Sequence, residues 1–186
     1  MINVAFVGNP NVGKTALINQ ISHASLKIGN WPGVTIEKKE VFFKIGNEDI
    51  KLIDLPGIYN LSINTPEERV SRDFLLDEKV DVVINVMDST SLEKNIYLTA
   101  LVKELGIPMV IALNFEDEFK RIGYKLDVER FEKQLGIPVV FTSGKSGNGV
   151  DKLMEKVVEL SKQSSSENKQ HRLLFDKEIE NNIETL

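Results

Sequence analysis

The sequence predicts an α/β fold, and three observations carry that expectation. Short apolar runs such as VDVVINVM (80–87) and IPMVIALN (107–114) are continuous, as strands buried on both faces should be. Amphipathic segments alternate with these runs, the order expected of strand–helix units. The chain of 186 residues is 41% hydrophobic and 27% charged, which fits one soluble domain with a short appendage.

Each element follows from local signals. INVAFVG (2–8) reads as a buried strand, and NPNVGKTALINQIS turns helical after Gly13. TIEKKEVFFKIG and EDIKLIDLPG form an antiparallel hairpin turned at Gly46-Asn47. TPEERVSRDFLLDE places Thr65 and Glu68 at capping-box spacing, with Pro66 at the first helical position. Its run Glu67, Glu68, Arg69, Arg72 and Asp73 reads as a solvated helix face. SLEKNIYLTALVKELG has helical periodicity and a glycine stop. DVERFEKQLG is a further helix, IPVVFTS a last strand and VDKLMEKVVELS a last helix. The stretch GNWPGVT (29–35) carries a Pro-Gly turn signal, so a surface loop with Trp31 exposed is expected. Residues 1–161 form the domain and the polar stretch 162–170 a linker. Residues 171–186 resume an apolar pattern, either opening a further unit or ending as a frayed helix.

Several function classes fall away on composition. A net charge of −5 argues against a general nucleic-acid binder. No cysteine is present, which removes disulfides, zinc–thiolate sites and thiol catalysis. The start MINVAFVGNP lacks the basic and long apolar segments of a signal peptide, and no apolar run reaches membrane-spanning length. His23, at the end of the first helix, and His171 are too isolated to form a metal site.

GNPNVGKT (8–15) matches G-x-x-x-x-G-K-[ST], with a chance occurrence on the order of one in a hundred for a chain this long. The motif follows a strand and opens a helix, as a phosphate loop must. Its glycines let backbone N–H groups wrap phosphate oxygens, and the helix N-terminus adds positive charge. Gly8, Asn9, Pro10, Asn11, Val12, Gly13, Lys14, Thr15 and Ala16 are therefore candidate nucleotide contacts. Lys14 reaches the β- and γ-phosphates, and the Thr15 hydroxyl binds Mg²⁺. DLPG (54–57) ends a strand, so that Asp54 can hold Mg²⁺ through water and the Gly57 N–H can sense the γ-phosphate. NFED (114–117) closes another strand: Asp117 can accept from guanine N1–H and its 2-amino group, donors that adenine lacks. Asn114 ties that loop to the phosphate region. TSGKSG (142–147) follows the last strand and offers Ser143, Gly144 and Lys145 to the base. In this order the motifs specify GTP and GDP.

The set resembles the translation-factor-related small GTPases, and GNWPGVTIE with GNPNVGKT looks narrower still: the N-terminal G domain of ferrous iron transport protein B. That resemblance, over roughly residues 1–160, implies a Ras-like fold with a six-stranded, mostly parallel sheet, one antiparallel edge strand and about five helices. It also implies a cytoplasmic domain of an inner-membrane protein, followed by a helical spacer and a polytopic membrane region that moves Fe²⁺. A homo-oligomer is a further expectation. Thr35, with Gly33 and Pro32 setting its turn, would complete the Mg²⁺ site from switch I. Asn11, with the backbone carbonyls of Gly29 and Trp31, would hold K⁺ beside the β/γ-phosphates. The residues assigned to hydrolysis are then Asn11, Lys14, Thr35 and Gly57.

Departures from the general GTPase pattern refine the expectation. Phe115 stands where a lysine stem usually covers the base, which predicts weaker binding and faster release. Gly144 replaces the usual alanine, a minor change for a backbone contact. Ile58 stands where Ras-like enzymes carry a water-orienting glutamine, so intrinsic hydrolysis should be slow or use K⁺. Two alternatives remain at this point: a ribosome-assembly or tRNA-modifying GTPase, and a nucleotide sensor with negligible turnover.

Overall fold

A computed structural model describes residues 1–21 and 25–163. The readings of 164–186, and those of His23 and His171, lie outside these residues.

Seven strands form one sheet: β1 (Ile2–Gly8), β2 (Ser25–Asn30), β3 (Glu37–Ile45), β4 (Glu48–Asp54), β5 (Val82–Asp88), β6 (Met109–Asn114) and β7 (Val139–Phe141). Their spatial order is β2-β3-β4-β1-β5-β6-β7. β1 pairs in parallel with β4 and β5, and β6 with β5 and β7, so these five strands end on one edge of the sheet. β3 runs against both its neighbours, β2 and β4. Among the described residues six helices accompany them: α1 (Lys14–Ile21), α2 (Pro66–Asp77), α3 (Leu92–Glu104), α4 (Glu116–Ile122), α5 (Val128–Leu135) and α6 (150–163).

Strand periodicity sorts the core into two layers. Val4 and Phe6 of β1 face one side with Leu17 and Ile18 of α1 and Leu153 and Val157 of α6. Ala5 and Val7 face the other, with Phe74 and Leu75 of α2 and Leu98 and Val102 of α3. β5 and β6 divide the same way: Ile84 and Val110 join the first layer, Val83 and Ile111 the second. Asn85 interrupts the second layer, and its amide donates to the Thr99 hydroxyl at 2.7 Å inside α3. A fully buried carboxamide is tolerable there only because α3 supplies that partner.

Two elements depart from the expected architecture. The sheet has a seventh strand, β2, laid outside the antiparallel strand β3, with Asn30 opposite Glu37 and Ser25 opposite Phe42. Gly29 and Asn30 thus belong to a strand rather than a loop. The short helix α4 adds to the five expected, beginning inside the NFED motif. At α2, Thr65 caps the Glu68 N–H at 3.2 Å, as expected. The Glu68 carboxylate takes the Ser62 hydroxyl, so the reciprocal half of a capping box is replaced by a bond to the preceding loop.

Gly149 shows how tightly the turn into α6 closes on the sheet. Its φ is +76°, and a Cβ there would lie 1.9 Å from the Phe141 carbonyl oxygen. Gly149→Ala should therefore lower stability by at least ~3 kcal/mol, read as a drop in the urea midpoint at unchanged slope.

Candidate functional site

The loops that leave β1, β4, β6 and β7 lie along one edge of the sheet, where α/β folds place their ligand sites. The loop after β1 turns through left-handed backbone at Asn11 (φ 65°) and Gly13 (φ 83°) before α1 begins at Lys14. Such alternation points successive N–H groups into a concavity suited to an anion. A side chain at Gly13 is excluded, since its Cβ would lie 2.2 Å from Asn114 Nδ2 and 3.3 Å from the Phe115 ring. Asn11 is exposed, and its side chain makes no hydrogen bond among the described residues.

Asn114, fully buried at the end of β6, joins three loops. Its Nδ2 donates to the Val12 carbonyl at 2.9 Å, and its Oδ1 accepts the Gly144 N–H at 2.9 Å. The expectation that Asn114 ties its loop to the phosphate loop matches these contacts. Ser143 donates its hydroxyl to Asp117 at 2.5 Å and accepts the Ser146 N–H at 3.0 Å. Glu116, between these residues, holds the far side of the same loop by accepting from the Asn148 amide and from Lys120 at 2.6 Å. The absence of a side chain at 144 has a local cause: a Cβ there would sit 2.8 Å from that of Ala16. In the present arrangement the Gly144 N–H is committed to Asn114, and Lys145 is exposed.

The DLPG loop closes against the phosphate loop. Gly57 lies so near it that an added Cβ would meet Pro10 Cα at 3.0 Å and Lys14 Nζ at 3.4 Å. The Ile58 N–H donates to the Gly8 carbonyl at 3.2 Å, and its side chain is buried. Burial pushes the Lys14 ammonium below the usual lysine range, with the Asp54 carboxylate pulling the other way. Burial likewise raises the Asp54 carboxyl, against the pull of Lys14 and Lys39. Asp54 Oδ1 is buried with no hydrogen-bond partner among the described residues. An unpartnered carboxylate oxygen of that kind suits a hard cation, so Asp54 fits the Mg²⁺ expected of these loops, with the Thr15 hydroxyl at the start of α1.

Trp31 corrects the sequence-based expectation. It is only 6% exposed, packed edge-on against Phe74 of α2 at 5.3 Å between ring centroids, with Lys38 Nζ 4.7 Å from its own ring centroid. The Pro-Gly turn is on the surface, yet the ring tucks beneath it because α2 offers an apolar face. The Trp31 N–H donates to the Ile36 carbonyl at 2.9 Å, and its carbonyl accepts the Val34 N–H at 3.3 Å. Gly29 is paired opposite Lys38 in the sheet. Thr35 and Gly33 are exposed in the turn. The residues expected around K⁺ are thus split: Asn11 belongs to the phosphate loop, Gly29 and Trp31 to the hairpin.

A strand-ended phosphate loop, a carboxylate at the end of β4, and the Asn114–Asp117 loop fastened to that of Ser143 define a domain of the Ras-like P-loop GTPase fold. The family model described as ferrous iron transport protein B matches residues 2–157, and the chain belongs to that family. It is 42% identical over its full length to an Fe(2+) transport protein A/Fe(2+) transporter FeoB fusion protein of Porphyromonas gingivalis, covering 22% of that protein. The solved G domain of the T. maritima FeoB iron transporter is 42% identical, with a TM-score of 0.81 over 87% of this chain and 99% of that one. The cytosolic domain of the same transporter in a GMPPNP form is 44% identical, with a TM-score of 0.84 over 87% of this chain and 64% of that one. The chain spans about a quarter or less of the curated relatives it matches, 22% and 26% of the first two.

Replacing the Asn114 carboxamide would leave the Val12 carbonyl and the Gly144 N–H without partners. Asn114→Ala is expected to cost about 2–4 kcal/mol, a loss that chemical denaturation of the variant would measure directly.

Proposed function

We propose that the chain binds GTP and GDP with Mg²⁺ at these loops and hydrolyses GTP to GDP and phosphate, slowly and with stimulation by K⁺. The observation that carries this reading is the buried, unpartnered Asp54 oxygen near Lys14, beneath a phosphate loop that Asn114 ties to the base-reading segments. In this reading the backbone of 8–16 wraps the phosphates and Lys14 neutralises the β- and γ-oxygens. Thr15, Asp54 and Thr35 would hold Mg²⁺, which when bound would supply positive charge to the phosphates. The Gly57 N–H contacts the γ-phosphate, and Asp117 with Ser143, Gly144 and Lys145 selects guanine. The burial of Ile58 supports slow intrinsic turnover, because an alkyl side chain orients no water.

Asn11 would contribute a phosphate-loop ligand for K⁺, with the carbonyls of Gly29 and Trp31 as further ligands. Bringing them together requires the hairpin to rearrange, since the Trp31 carbonyl is engaged with Val34. The nucleotide-bound form of a family member supports the substrate, and the names of the relatives support the larger setting. There the domain acts as a cytoplasmic switch for a membrane Fe²⁺ transporter, acting through a helical spacer on the membrane region, as a monomer or within a homo-oligomer.

Two measurements test the site. GTP turnover should be several-fold faster in K⁺ than in Na⁺, and Asn11→Ala should abolish the difference; equal rates in both salts for the unmodified chain would remove K⁺ from the mechanism. In thermal unfolding, Mg²⁺ should add to the stabilisation by GTP analogue or GDP, by up to about 2.7 kcal/mol when affinity rises a hundredfold. Asp54→Asn should lose that Mg²⁺ increment while keeping the stabilisation by nucleotide alone.

A further inference from the structure

The turn that carries Thr35 and the helix that follows DLPG share one apolar cluster. Trp31, Ile58, Phe74 and Leu75 are buried in it, and Val34, Ile36, Leu61 and Val70 pack against it. Trp31 stands between the two segments, bonded through its backbone into the 31–36 turn and packed through its ring on α2. Edge-to-face contact between two rings is specific in orientation, so displacing one segment changes the geometry presented to the other. The buried indole N–H has no acceptor among the described residues, so no hydrogen bond within them locks the arrangement. Packing holds the ring, and packing can be exchanged.

We propose that the Trp31 side chain is a positioning residue that couples the Thr35-bearing turn to α2, so that a nucleotide-dependent movement of either segment is transmitted to the other. The inference rests on the proposed GTP chemistry but concerns the indole, not the backbone carbonyl assigned to K⁺, and Trp31→Ala keeps that carbonyl. The phosphate loop after β1 packs its Val12 into the other layer of the core, so loss of the ring should impair turnover without loosening GDP.

A double-mutant cycle on the whole chain tests it. Trp31→Ala and Phe74→Ala should each lower kcat for GTP about tenfold, and the double variant should fall by the same tenfold rather than a hundredfold. GDP affinity should stay within about twofold in all three, and Trp31→Phe should keep most of the turnover. Because Trp31 is the only tryptophan, its emission offers a second readout. Phe74→Leu, a milder change, should move the emission to longer wavelength and diminish its response to a non-hydrolysable GTP analogue. Additive losses in the double variant, unchanged turnover in Trp31→Ala, a parallel loss of GDP affinity, or an emission response untouched by Phe74→Leu would each overturn the coupling. No turnover in the unmodified chain would overturn the GTPase reading itself, whereas normal turnover in Trp31→Ala overturns only the coupling.

Discussion

The carboxamide of Asn114 is the point at which the candidate site becomes one object. Its two ends are committed in opposite directions, to the Val12 carbonyl in the phosphate loop and to the Gly144 N–H in the loop after β7. The two loops leave different strands, and this amide bonds them directly. The commitment is enforced by space as well as by hydrogen bonds, since the amide nitrogen occupies the volume a side chain at Gly13 would need. Gln20 adds a second strut, donating from α1 to the Gly144 carbonyl at 3.1 Å. A fully buried amide with both ends satisfied has little freedom to reorient.

Around that fixed frame lies an electrostatic imbalance. Lys14 and Asp54 are both driven by burial toward their neutral forms, and each is the other's main compensation, without a direct ion pair between them. Lower pH favours the raised carboxyl of Asp54, because the folded chain holds that proton more tightly than the unfolded chain does. That stability is lost as pH rises from the unfolded value through the folded one. Lys14 has the opposite slope, with folding favoured as pH rises from its lowered folded value toward the ordinary lysine range. Groups kept under-solvated in advance need little reorganisation when opposite charge arrives, the condition under which charge stabilisation is strongest.

Much of this was legible in the sequence for identifiable reasons. β5 and β6 are apolar on both faces because layers cover both sides. The phosphate loop declares itself through spacing, and Asn114 through its place at a strand end. β2 left no such trace: Ile28 is 63% exposed, and Gly29 and Asn30 look like turn residues, so only backbone pairing with β3 makes the strand. α4 is too short for its period to be read. Trp31 misleads for a physical reason, since the Pro-Gly signal reports the path of the backbone while the burial of the ring depends on Phe74 in a distant helix. The Glu116 bond to Asn148 joins the start of α4 to the loop after β7 by tertiary contact alone, and no local pattern anticipates it.

The two margins of the sheet are finished differently. At β7, the outward N–H of Val139 is taken by the Glu132 carboxylate at 2.6 Å, and the chain at Gly149 presses against the Phe141 carbonyl. That margin is sealed by the molecule's own groups. At the other, β2 is the last strand, with Lys27 and Ile28 exposed. Among the described residues no strand pairs with the outer side of β2, an edge of the kind that can accept a further strand, and β2 is continuous with the turn that bears Thr35. The few residues that finish the sheet at this margin thus lead straight into the turn that bears Thr35, so the border of the sheet and the position of that threonine share one stretch of backbone.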